Sequence, residues 1–274
     1  MRKGKRIASR SGLERRRAGR TPRNTFARGG KMLWKDDRSW VYSITYDEGC
    51  RALLDNALKL HRRYGIPGHV CLLADQVGVP RNVPGSSYDG MMILSKEELG
   101  MLSKEGWGVS CHGKTHVAIT EDNAEEEVVE AKGILERKLG TTISIFCVPG
   151  SNESYPPALR VAGRAGYKAI MTIYDDVNTP RSDLMRLCRV PIHSEFPPPF
   201  YSAFDPYKRI HQAVDRGGWI IDYCHCPMPG KPIHPWKDCT LEQLEERFKA
   251  VTSIGGDEVW LAEPNQVIDY LLSR

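Results

Sequence analysis

The chain has 274 residues, of which 41% are hydrophobic, so it is long enough to bury the core of one α/β barrel or of two small domains. No stretch approaches the roughly 20 apolar residues that cross a bilayer, which excludes a membrane span, and the first residues lack the short apolar core of a secretory signal. The formal net charge is +5, and its distribution along the chain is uneven.

The positive charge belongs to the amino-terminal segment. Residues 1–31 hold 12 Lys or Arg and one acidic residue, whereas residues 32–274 hold 27 basic and 33 acidic residues. We interpret residues 1–31 as a disordered tail, open to non-specific contact with polyanions, and residues 32–274 as one catalytic domain. The eight cysteines include no zinc-type C-x-x-C pair and indicate reduced thiols. Together with the missing signal, they favour a cytoplasmic protein; the alternative is that the sequence lacks an export segment.

From Trp40 onward, short apolar runs alternate with amphipathic stretches. The runs predict strands at residues 41–46, 69–73, 107–110, 143–148, 168–172, 187–190, 219–223 and 259–261. Helices are predicted over residues 51–64 and 121–139, after capping boxes that begin at Ser95 and Thr240, and near residues 265–272. Seven or eight strands alternating with helices predict an α/β fold of mostly parallel strands, either open or closed into a (β/α) barrel.

Three polar clusters follow predicted strands, at the edge where parallel α/β folds place their sites. Asp47 and Glu48 come directly after the first strand, where adjacent carboxylates are costly to bury without a cation; the alternative is an acidic helix start. His112 and His116 follow the third strand and reach one cation if the segment turns helically. His225 follows a late strand. Two imidazoles and a carboxylate suit a divalent metal such as Zn²⁺.

The ordered set resembles the polysaccharide deacetylases (NodB homology domain, carbohydrate esterase family 4) over roughly residues 32–272. Residues 45–49 (TYDEG) resemble the first family motif, TFDDG, and residues 112–116 (HGKTH) resemble the second, H-x-x-x-H. Residues 146–150 (FCVPG) stand where the third motif lies, residues 221–225 (IDYCH) resemble the fifth, and residues 258–261 (EVWL) resemble a common closing strand.

The resemblance implies a distorted (β/α) barrel that removes N-acetyl or O-acetyl groups from a carbohydrate with the help of a divalent cation. Zn²⁺ is the first choice, with Co²⁺, Ni²⁺ or Mn²⁺ as alternatives. Carried over by position, Glu48, His112 and His116 would hold the metal. Asp47 would be the general base, and His225 would protonate the leaving group as general acid.

Other family roles fall on residues in loops. The backbone N–H of Gly150 would help to stabilise the oxyanion. Asp175, Asp176 and Asp183 are each candidate partners of His225 from the fourth motif, or ordinary loop carboxylates. Four aromatic loop residues either stack on sugar rings or serve in packing: Tyr174, Phe200, Tyr201 and Trp236.

Two positions depart from the family pattern. Glu48 stands where the family has a second aspartate, and Cys147 stands where an arginine positions the catalytic aspartate. No thiol replaces a guanidinium fork, so another cation would have to do so. Arg189 either lines the cleft or lies on a surface strand. These departures keep two alternatives open, an amidohydrolase acting on a small cyclic amide or ureide and a catalytically silent carbohydrate-binding protein.

Overall fold

The computed structural model describes residue 1 and residues 34–274. Apart from residue 1, the basic tail at residues 1–31, and with it the predicted polyanion contact, lies outside the described residues. The described part contains eight strands, and each of them overlaps or adjoins a predicted one: β1 (Trp40–Asp47), β2 (His69–Leu72), β3 (Gly108–Cys111), β4 (Ile145–Cys147), β5 (Ala169–Met171), β6 (Val190–Pro191), β7 (Trp219–Cys224) and β8 (Val259–Leu261).

All strand pairings between these elements are parallel, as predicted. The sheet order is β5-β4-β3-β2-β1-β7-β6, and β8 pairs with the first residues of β1. The predicted strand at residues 187–190 starts later, at Val190, because Leu187 instead joins β5. The Leu187 N–H donates to Ile170 O, and its carbonyl accepts from Thr172 N, both at 2.8 Å. These bonds bring the two edges of the sheet together as a distorted barrel.

The helices lie in the connections between the strands. They are α1 (Ala52–Asp55), α2 (Leu58–Tyr64), α3 (Lys96–Lys104), α4 (Ala131–Leu139), α5 (Tyr155–Ala162), α6 (Ile210–Arg216), α7 (Leu241–Gly255) and α8 (Pro264–Leu272). Both predicted capping boxes are confirmed, one opening α3 at Ser95 and one opening α7 at Thr240. The predicted helix over residues 51–64 is divided into α1 and α2, and a π-helical segment, Glu125–Glu130, precedes α4.

Alternation along β1 separates the barrel interior from the helical layer. Tyr42, Ile44 and Tyr46 pack in the large core cluster that includes residues of α2 and α7, whereas Val41 belongs to the smaller cluster with inward residues of the other strands. Because side chains of a strand point alternately to its two faces, the inward series from Val41 ends at Asp47. Among the described residues, no helix is long and apolar enough to cross a membrane.

Candidate active site

The carboxyl ends of β1, β3 and β7 bring the predicted site residues together. Asp47 is the last residue of β1, His112 directly follows β3, and His225 directly follows β7. The Nε2 atom of His112 lies 4.0 Å from an Asp47 oxygen, and the Nε2 atom of His116 lies 3.2 Å from a Glu48 oxygen. Spacing along the sequence therefore predicted correctly which side chains share this edge of the sheet.

Arg189 binds Asp47 through a bidentate salt bridge. Its Nη1 and Nη2 atoms donate to the two Asp47 carboxylate oxygens at 2.7 and 3.1 Å, and both side chains are buried. Burial raises the pKa of Asp47, but Arg189 and then His112 favour the charged form and hold this pKa well below its ordinary value. Asp47 is thus fixed as a carboxylate in one orientation.

Further contacts fix the guanidinium of Arg189 itself. Its Nε donates to Thr172 O at 3.0 Å, its Nη1 also reaches the Thr45 hydroxyl at 3.2 Å, and it lies 4.4 Å from the centre of the Tyr223 ring. The surface-strand alternative for Arg189 is therefore wrong. The cation missing at Cys147 comes instead from the residue that precedes β6.

Glu48 occupies a strained, buried turn position. Its backbone is left-handed, with φ of 75°, which is uncommon for a residue other than glycine. Arg81 donates from Nε to one Glu48 oxygen, and the other oxygen faces His116. Burial raises the pKa of Glu48, but His116 and the hydrogen bond from Arg81 outweigh burial and lower it. Sequence reasoning missed Arg81, which lies in a loop without hydrophobic periodicity.

The two histidines meet through a loop. The helical turn that would place both histidines on one face does not form, since residues 112–116 have no helical structure and His116 has a φ of 78°. Their ring centres are 5.3 Å apart. The Nδ1–H of His112 donates to Cys147 O at 3.0 Å, which leaves Nε2 with its lone pair. Burial lowers the pKa of His112, and it lowers the pKa of His116 to about 4.

His225 is oriented by a second loop, after β7. Its Nδ1–H donates to Lys237 O at 3.1 Å, and its ring stacks on Tyr88 with the centres 5.1 Å apart. Asp238 accepts hydrogen bonds from the backbone N–H groups of His225 and Cys226 and from the Tyr88 hydroxyl. These contacts leave Nε2 as the ring nitrogen of His225 that is open to proton transfer.

The candidate partners from the fourth motif are engaged elsewhere. Asp175 pairs with Lys208 at 2.8 Å and with Arg209 at 3.1 Å. Asp176 accepts from Gln212 at 3.2 Å and faces Arg216, and Asp183 caps the 3₁₀ turn Leu184–Arg186. The hypothesis that one of these three carboxylates partners the His225 ring is corrected, because Lys237 O accepts from its Nδ1–H, while Asp238 accepts from the His225 backbone N–H. Gly150 lies in an exposed turn after β4 with φ of 68°, and its oxyanion role stays a prediction.

The donor set of Glu48, His112 and His116 fits a divalent cation. Two ligands about 2.1 Å from a tetrahedral ion are about 3.4 Å apart, close to the 3.2 Å between Glu48 and His116. The ligand atoms of all three residues do not lie within 4.8 Å of one another among the described residues. The Cys147 carbonyl already fixes the His112 tautomer that a metal requires.

A second group is more compact but chemically unsuitable. Among the described residues, Asp47, Cys71 and Cys147 form the set whose ligand atoms all lie within 4.8 Å of one another. Arg189 already engages both Asp47 oxygens. Burial raises the pKa of the Cys147 thiol well above its ordinary value. We therefore retain Glu48, His112 and His116 as the metal-binding candidates.

An aromatic cavity of 430 Å³ lies beside the His225 loop. Tyr201 and Trp236, with 77% and 43% of their surface exposed, line it together with Ser194, Glu195, Phe196, Ser202 and Ala203. Trp236 precedes Lys237, whose carbonyl holds His225. Tyr174, in contrast, is covered by the guanidinium of Arg186 at 4.6 Å. A larger hollow, of 600 Å³, lies by the first residues of β3 and is remote from these groups.

The parallel barrel and the carboxylate–histidine cluster at its carboxyl edge define a hydrolase-type α/β protein. The profile of the polysaccharide deacetylase family matches residues 35–170, about half of the chain. The chain belongs to the polysaccharide deacetylase family and is a hydrolase of that type.

Several solved structures are similar to this chain, and the first of the three described here supports the fold. A protein of Mycobacterium smegmatis assigned to the polysaccharide deacetylases is 14% identical over 89% of this chain and 93% of its own, with a TM-score of 0.56. Deacetylase PplD of Streptococcus pyogenes, in complex with acetate, is 17% identical over 54% of this chain, which spans 62% of that protein, with a TM-score of 0.45. An acetyl xylan esterase of Clostridium thermocellum, in complex with a cobalt ion, is 11% identical over 84% of this chain and 90% of its own, with a TM-score of 0.48. No curated protein matches the sequence.

Proposed function

We propose that this chain is a metal-dependent deacetylase that removes N-acetyl, or alternatively O-acetyl, groups from a carbohydrate. One observation carries the proposal: Arg189 holds the Asp47 carboxylate at the edge of the sheet that also carries the imidazole–carboxylate pair of His116 and Glu48 and the oriented His225. Membership of the polysaccharide deacetylase family supports the same reaction class.

In the proposed reaction Asp47 is the general base. Arg189 keeps its carboxylate ionised and aimed, so that it accepts a proton from the attacking water. His225 donates a proton from Nε2 to the leaving nitrogen or oxygen, because its Nδ1–H is committed to Lys237 O. The Gly150 N–H is the proposed donor to the oxyanion.

Glu48, His112 and His116 would hold the cation through one carboxylate oxygen and two Nε2 atoms. A divalent cation held there supplies Lewis-acid polarisation of the acyl carbonyl and lowers the pKa of a water molecule. Two imidazoles and a carboxylate favour Zn²⁺ and also accept Co²⁺, Ni²⁺ or Mn²⁺. Arg81 orients Glu48 through the oxygen that does not face His116.

The aromatic cavity supports a carbohydrate as substrate. Its volume falls within the roughly 300–1,000 Å³ of small-molecule sites. Tyr201 and Trp236 offer apolar ring faces with polar tips, and Ser194 and Ser202 add hydrogen-bonding groups. We propose that these side chains bind sugar rings next to the reacting acetyl group.

Acetate release from N-acetylglucosamine oligomers, after loading the protein with Zn²⁺, tests this function. Replacing the base, Asp47→Asn, is expected to lower kcat by about 10²- to 10⁴-fold, because the amide cannot take up the proton. The control Asp55→Asn, at an exposed position in α1, should retain full activity. Opening of a cyclic ureide without acetate release would favour the amidohydrolase alternative, and sugar binding without turnover would favour the silent binder.

A further inference from the structure

The loop between the two histidines needs an external support. Residues 113–115 leave β3 without regular structure, and both Gly113 and His116 are in left-handed conformations, with φ of 95° and 78°. Backbone N–H groups in such a loop need acceptors outside it, since no helix or sheet pairs them. The acceptor that this loop uses is a carboxylate.

Glu127 receives three hydrogen bonds from this loop. Its Oε2 accepts from the backbone N–H groups of Lys114 at 2.8 Å and Thr115 at 3.1 Å, and its Oε1 accepts from the Thr115 hydroxyl at 2.6 Å. The residue is only 2% exposed. The approach is close, because a Cβ atom at Gly113 would lie 3.0 Å from Glu127 Oε2. A buried carboxylate with three donors fixes both the path of the loop and the spacing of its flanking histidines.

The π-helical segment Glu125–Glu130 presents Glu127 to the loop. Such wide turns are rare and occur frequently at functional sites. Glu127 and its neighbour Val128 are both buried, Val128 within the main core. The segment therefore anchors itself in the core and still delivers a carboxylate to the histidine loop.

We propose that Glu127 is a positioning residue that sets the geometry of His112 and His116 for the cation. The proposal rests on the proposed metal-dependent function. Glu127 acts through the loop backbone and has no contact with the reacting groups.

The test is zinc affinity, measured by competition with a chromophoric chelator on the full chain. Glu127→Ala is expected to weaken zinc binding by about 10- to 100-fold, the usual effect of removing a group that orients metal ligands. Glu127→Gln keeps one oxygen for the two backbone N–H groups and should recover most of the affinity. Glu126→Ala is the matched control, because Glu126 is exposed and pairs with the Lys114 side chain and not with the loop backbone. The zinc affinity of this variant should equal that of the wild type.

Hydrogen exchange of the metal-free protein supplies a readout that does not depend on zinc. The amides of Lys114 and Thr115 should exchange about tenfold faster or more in Glu127→Ala, since they lose a charged acceptor. If the wild type binds zinc and Glu127→Ala shows the same zinc affinity and the same amide exchange, the positioning role of Glu127 is overturned while the metal site stands. A wild-type protein that binds no zinc would overturn the proposed metal site together with this role.

Discussion

Replacing Arg189 by lysine is expected to lower kcat by about 10²-fold while KM changes little. Lysine keeps the positive charge but loses the planar fork that contacts both Asp47 oxygens. A general base displaced by about 1 Å loses activity on this scale. Because Arg189 does not face the aromatic cavity, the loss should fall on the chemical step and not on sugar binding. Steady-state acetate release, with kcat and KM determined separately, measures the effect.

Two further variants sharpen the Arg189 experiment. Arg186→Lys is the control, because Arg186 lies in the nearby 3₁₀ turn and stacks on Tyr174, away from Asp47. In Arg189→Ala, adding Cys147→Arg returns a guanidinium beside Asp47, since Cys147 Sγ lies 3.6 Å from its Oδ1. We expect this double variant to be more active than Arg189→Ala alone. A wild-type kcat in Arg189→Lys would show that the bidentate salt bridge to Asp47 is not needed for catalysis.

Replacing Arg247 by methionine is expected to lower the free energy of unfolding by about 3–5 kcal/mol. Arg247, in α7, donates to both oxygens of Asp222, in β7, at 2.7 and 3.0 Å, and both side chains are fully buried. Its Nη1 also donates to two loop carbonyls at 2.8 Å. The variant leaves a buried carboxylate with the Tyr42 hydroxyl as its remaining side-chain donor, which is far costlier than losing an exposed pair.

Urea unfolding of three variants checks this prediction. Arg63→Met removes the exposed ion pair between Arg63, in α2, and Glu245, in α7. This change should lower the free energy of unfolding by less than about 1 kcal/mol. The double variant Asp222→Leu/Arg247→Met should recover part of the loss, because no charge is left buried. Equal effects of Arg63→Met and Arg247→Met would contradict the account of the buried pair.

Local patterns in the sequence were sufficient to predict the strands that position the site residues. Apolar runs located the strands of the barrel, and parallel pairing then required Asp47, His112 and His225 to share one edge. The capping boxes at Ser95 and Thr240 also depend only on neighbouring residues, and both form.

The partners of the site residues could not be predicted in the same way. Arg189 reaches Asp47 across 142 positions, and Asp238 meets Tyr88 across 150, so both contacts depend on how the barrel closes. One signal was available for Arg189, because a charge between Leu187 and Val190 in an apolar run must find a partner. Arg81 had no such signal. The helical turn considered for His112 and His116 does not form, and Glu127 supports a loop there.

Metal content tests the central claim most directly. Wild-type protein is loaded with Zn²⁺, dialysed and examined by elemental analysis beside the double variant His112→Ala/His116→Ala, with acetate release from N-acetylglucosamine oligomers assayed in parallel. The control His211→Ala removes an exposed histidine of α6 that is not part of the site. We predict near-stoichiometric zinc and acetate release in the wild type and the control, with both lost in the site variant. A wild-type protein that retains no metal after loading would contradict the proposed mechanism.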